Sequence, residues 1–91
     1  MAVFAVIAST NPEVIGQAVV AQYGANHYQF SPTAWYVPDS GTTKDVADKL
    51  GITAGTGGVL AAVLKISAYS GRANQTGWTW LQSQGEAIPN G

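Results

Sequence analysis

No cysteine occurs in the 91 residues, so disulfides, thiol chemistry and cysteine-bound zinc are excluded. Charge is the next scarcity. Only 10% of the residues are Asp, Glu, Lys or Arg, against roughly 25% in an ordinary soluble domain. Four basic and five acidic side chains leave a formal net charge of −1. Generic nucleic-acid binding draws mainly on neutralised phosphates, and four scattered cations make no basic stripe. Nucleic acid is therefore not an expected partner. A single histidine, His27, cannot build a multi-histidine zinc site, and no carboxylate pair sits at ligand spacing. The expectation is no metal and no cofactor. No run approaches the ~18 apolar residues of a membrane span, and MAVFAVIAST lacks the basic lead of a signal peptide. The expected setting is cytoplasmic, without a membrane partner.

What is abundant is apolar: 46% of the chain. One domain over residues 1–91 is expected, with 85–91 as a flexible tail, and a chain this size buries roughly 60–65% of its unfolded surface. So few charges leave little to solvate a free surface, and an exposed apolar patch of several hundred Å² marks an interaction site. Self-association is the expected resolution, most simply as a C2 homodimer.

The stretch that organises the chain is Val59 to Arg72, VLAAVLKISAYSGR, which ends in the only arginine. Its valines, Ile66 and flanking glycines predict a long strand over Val59–Tyr69. Val3–Ala8 (VFAVIA) is a continuous apolar run, as in a strand buried on both faces. Asn11-Pro12-Glu13 supplies a helix start: a capping side chain, proline at the first position and an acid near the positive helix end. Val14, Ile15, Ala18, Val19 and Gln22 follow at helical spacing, and Gly24 is placed to stop the helix. Tyr28 and Phe30 alternate with His27 and Gln29 at strand period. Thr33–Val37 reads as the second arm of a hairpin, ended by Pro38. Thr42-x-x-Asp45 has capping-box form. Val46, Ala47 and Leu50 then make an apolar stripe, with Lys44–Asp48 and Asp45–Lys49 at i,i+4 and Gly51 closing the helix. Thr53–Gly58 (TAGTGG) reads as a flexible link. Thr76 is placed to cap a short last helix holding Trp78, Trp80 and Leu81, stopped at Gly85. The order predicts an α+β, ferredoxin-like βαββαβ sandwich with a short C-terminal helix, β1 and β3 central, β4 beside β1 and β2 beside β3.

No catalytic constellation stands out. TAGTGG lacks the lysine of a phosphate loop and leads into a strand instead of a helix. His27, flanking Tyr28 on a strand, reads as a surface or interface residue. Ser9, Thr10, Ser67 and Ser70 have no Gly-x-Ser-x-Gly context. Asp39, Asp45 and Asp48 read as loop and cap residues. The best ligand-binding corner is Tyr69, Ser70, Arg72, Asn74, Trp78 and Trp80, where a guanidinium fork and indole faces would take a small anion or a nucleotide. The competing reading makes the tryptophans core or interface anchors and Arg72 a cap on helix carbonyls or the partner of an acid.

The hairpin TAWYVP and the helix TTKDVADKLGI, within such an element order, resemble the Cas2-like and SinR-like small ferredoxin-fold proteins over residues 3–70. The resemblance implies that fold and dimerisation through strand edges and C-terminal segments. Cas2-type nucleases carry a metal-binding aspartate at the end of the first strand; here that place reads Ala8-Ser9-Thr10, so nuclease chemistry does not carry over. The leading expectation is a homo-oligomeric interaction module without catalytic activity. The alternatives are a ligand-binding protein using the Arg72/Trp78 corner and a Cas2-like nucleic-acid-binding protein lacking that aspartate.

Overall fold

The computed structural model describes residues 2–67 together with Thr79, Trp80 and Ser83. In chain order it contains β1 (Ala2–Thr10), α1 (Pro12–Tyr23), β2 (Tyr28–Ser31), β3 (Ala34–Asp39), α2 (Thr43–Lys49), a 3-10 turn at Thr56–Gly58 and β4 (Leu60–Lys65). The fold is α+β: four antiparallel strands in the order β2-β3-β1-β4, with two helices. That strand order is the expected one. The run VFAVIA occupies a central strand, with β3 on one edge, β4 on the other, and Phe4, Val6 and Ala8 in the core.

Strand periodicity sorts the side chains. Phe4, Val6 and Ala8 of β1 and Trp35 and Val37 of β3 share a buried cluster with Ile15 and Val19 of α1 and Val46 and Leu50 of α2. Both helices therefore cover one face of the sheet. Gly16 explains how α1 comes so close: a Cβ there would lie 3.2 Å from Cζ2 of Trp35. The helix gives up roughly 1 kcal/mol of propensity at this glycine and gains room for an indole beneath it.

Several local expectations are corrected. Asn11 does not cap α1. It lies in the left-handed region at φ 49° with no capping hydrogen bond. Its Nδ2 instead donates to the carbonyls of Gly57 (3.0 Å) and Gly58 (3.3 Å). Thr10 adds to this tie, donating to the Gly58 carbonyl and accepting the Leu60 N–H at 2.9 Å. TAGTGG is accordingly no free link: it forms turns and a 3-10 turn held against the start of α1.

β3 starts at Ala34 and runs through Pro38 to Asp39. Proline is tolerated because β2 has already ended, with Tyr28 opposite Tyr36, so β1 is β3's only neighbour at Pro38↔Val3. β4 spans six residues, Leu60–Lys65, and not Val59–Tyr69. Val59 precedes it as a core residue. Ile66 still donates its N–H to the Val3 carbonyl, but Ile66 and Ser67 are no longer in the strand. The rest of the expected strand, Ala68 and Tyr69, lies outside the described residues.

The capping box of α2 forms in both directions: Asp45 N–H to Thr42 Oγ1 at 3.2 Å, and Thr42 N–H to Asp45 Oδ2 at 2.8 Å. Lys44 pairs with Asp48 at 2.8 Å on an exposed surface. Lys49 does not pair with Asp45, because it is drawn to Asp39 instead.

Candidate functional site

The face of the sheet away from the helices carries one cross-strand row through all four strands. Tyr28 lies opposite Tyr36, Tyr36 opposite Ala5, and Ala5 opposite Leu64. The next row is Ala34, Ile7 and Ala62. None of these side chains is charged. Phe30 joins the aromatic end, its ring 5.3 Å from Tyr36, while Tyr28 and Tyr36 stack at 6.1 Å. Trp80, in helical backbone, brings its indole to 6.4 Å from both tyrosines, and Ser83 Oγ donates to the Trp80 carbonyl. Burial pushes the Tyr36 phenol above its ordinary pKa, with a smaller contribution from Tyr28. The β2/β3 half of this face thus has an aromatic cover. On the β1/β4 half Ile7 and Leu64 remain about half exposed, at 46% and 49%.

The helix-covered face ends in a polar knot that local pattern reading took for loop. Asp39 is buried, at 5% exposure. Its carboxylate accepts from Tyr23 Oη at 2.8 Å, Lys49 Nζ at 2.7 Å and the Gly41 N–H at 2.7 Å. Burial alone would raise its pKa. The hydrogen bonds from Lys49, Gly41 and Tyr23, with the Lys49 charge, outweigh burial and hold the carboxyl below its ordinary value. The same contact, after burial, drives the Tyr23 hydroxyl well above the usual phenol range. These partners sit at the end of α1, the end of α2 and the turn after β3, so the knot ties three elements at one corner. With both carboxylate oxygens hydrogen-bonded and the Asp39 side chain enclosed, the knot serves as a fastening. The signal was present in the sequence: Trp35, Val37 and Asp39 recur at period two, which puts Asp39 on the core face.

Of the six residues expected to form a ligand corner, Trp80 lies on the outer face against Tyr28 and Tyr36. Tyr69, Ser70, Arg72, Asn74 and Trp78 lie outside the described residues, as do the expected cap Thr76, the stop at Gly85 and the 85–91 tail. Tyr28, Phe30 and Tyr36 were legible as strand residues and missed as a surface. His27 is half-buried and its Nδ1 donates to the Gly24 carbonyl at 2.7 Å, which makes it the clasp of the α1–β2 turn. Among the described residues no group of three or more His, Asp or Glu side chains is gathered to hold a metal ion. No helix among them is long and apolar enough to cross a membrane. Compared with family models, with curated proteins and with solved structures, the chain has no match.

Proposed function

We propose that this protein is a homo-oligomeric interaction module without catalytic activity, built on the ferredoxin-like βαββαβ plan, and that a second copy covers the β1/β4 half of the outer sheet face. The observation that supports it is the half-exposed pair Ile7 and Leu64 in a surface row without a charge. β4 adds a second reason. It is an edge strand reading LAAVLK, with one charged residue, and so lacks most of the devices that keep edges from pairing. Six residues do not overhang the sheet, so the argument rests on this apolar edge and face and not on strand length. The resemblance to Cas2-like and SinR-like proteins points to the same use of strand edges. The nucleic-acid alternative stays disfavoured by the net charge of −1.

Light scattering at tens of micromolar tests the proposal. The expected mass is a multiple of 9.4 kDa, falling to the single-chain value in Leu64→Glu and Ile7→Glu variants that still melt cooperatively. A 9.4 kDa particle for the unsubstituted protein would rule out the proposal.

A further inference from the structure

A second surface lies at the opposite edge of the sheet. Between α1 and β2 runs an open groove of about 790 Å³. Glu13, Gln17 and Val20 line it from one stripe of α1, and His27 and Gln29 line it from the β2 side, with Trp35 at its floor. β2 is the outermost strand, so the edge of its backbone facing away from β3 has no strand partner among the described residues. Its side chains alternate: Tyr28 and Phe30 join the aromatic face, while Gln29, paired with Trp35, turns to the groove.

This is the geometry in which an extended peptide adds to a sheet edge. Main-chain hydrogen bonds supply affinity, and every second side chain drops into the slot between strand and helix. The lining states what those side chains should be. Val20 is exposed to 56%, far more than an aliphatic residue needs to be, and offers an apolar seat. Among the described residues Glu13 is the one charged residue in the lining, and no lysine or arginine of theirs faces it there. His27 spends Nδ1 on the Gly24 carbonyl, so a neutral ring keeps Nε2 as an acceptor. Carboxylate, amide oxygens and imidazole nitrogen all suit a donor or a cation. An anion would meet only repulsion from Glu13.

We infer that the α1–β2 groove binds an extended peptide segment of another protein, added as a strand beside β2, with an apolar side chain against Val20 and a lysine or arginine opposite Glu13. None of these residues lies in the β1/β4 half assigned to self-association, so either assignment can fail without the other.

The test is selection of a displayed library of random twelve-residue peptides against the full 91-residue chain. The expected winners alternate apolar residues with others and carry at least one lysine or arginine. A synthetic winner should slow amide exchange in Tyr28–Ser31 and bind Val20→Glu at least tenfold more weakly. Glu13→Lys should reverse the preference toward peptides carrying aspartate or glutamate. Circular dichroism melts establish that both variants fold, and if Val20→Glu does not, the charge reversal decides alone. Failure to enrich any peptide overturns the inference. So do winners that bind both variants as tightly as the unsubstituted chain, winners whose protection falls on β4, and winners that change the oligomer mass, which would make the groove a contact between copies.

Discussion

The two faces of the sheet are built from the same kind of residue and meet different fates. On one, Phe4, Val6, Trp35 and Val37 disappear beneath α1 and α2. On the other, Ala5, Ile7, Tyr36 and Leu64 are equally uncharged; among the described residues Trp80 covers the tyrosine end, while Ile7 and Leu64 stay about half exposed. An antiparallel sheet with one wet face normally alternates apolar with polar side chains. β1 does not alternate: VFAVIA is apolar on both sides. A strand made for two dry faces, with α1 and α2 on one and, among the described residues, Trp80 at the tyrosine end of the other, calls for cover over Ile7 and Leu64 as well. On the proposal above, that contrast assigns stability to the helix-covered face and association to the outer one.

The sharpest way to test the contrast is Trp35→Ala. This indole is 3% exposed and lies under Gly16, so its loss should cost about 3–5 kcal/mol in a denaturant melt. A smaller loss would mean that α1 is not seated by this ring. Next comes Asp39→Ala, which removes the acceptor for three donors. Lys49 and Tyr23 can return partly to water, so the expected loss is about 2–3 kcal/mol. The pH dependence follows from the sign of its shift. The folded carboxyl titrates below its ordinary 3.8, so its contribution is complete above that pH and drains away as pH falls through the lower folded value. Melts between pH 5 and pH 2 should therefore show stability falling with acid, and Asp39→Asn should flatten that slope. An unchanged slope would remove Asp39 as its source.

On the outer face the expected stability effects are smaller. Trp80→Ala removes two ring contacts, each worth roughly 0.5–1.5 kcal/mol, so a loss of about 1–3 kcal/mol is expected. It should also strengthen self-association by uncovering Tyr28 and Tyr36; a mass distribution that does not move would show that the aromatic end takes no part. Leu64→Glu should change the unfolding free energy of the monomer by within about 0.5 kcal/mol while dissolving the oligomer. If it unfolds the chain instead, the two faces are not functionally distinct.

How legible this was depended on the range of each interaction. The central place of β1, the limits of both helices and the Thr42–Asp45 capping box were readable because each is written in neighbouring residues. Asn11 was misread because Asn-Pro-Glu is a good local cap pattern, while its actual partners, Gly57 and Gly58, are 46 and 47 residues away. Asp39 was misread because Pro38 looked like the end of a strand. Nothing local says that β2 stops short and leaves that proline an edge to occupy. Gly16 looked like a defect in α1 until Trp35 was beneath it. The ligand corner drew on the chemistry of Arg72 and the tryptophans, whereas the described surfaces are made of residues whose periodicity was noticed and whose shared face was not.

The order of the strands also sets a timetable. β1 is central, but its partners are β3, beginning at Ala34, and β4, beginning at Leu60. On a ribosome adding 5–20 residues per second, VFAVIA therefore waits some 3–10 seconds between its own synthesis and that of its second neighbour. Throughout that interval it is an apolar strand with an empty flank. The hydrogen bonds that join Thr10 and Asn11 to Gly57, Gly58 and Leu60 close only at the end of it. Of the four strands, the one most in need of company is made first and completed last, so the nascent chain is most exposed to aggregation, and most in need of a chaperone, before Leu60 appears.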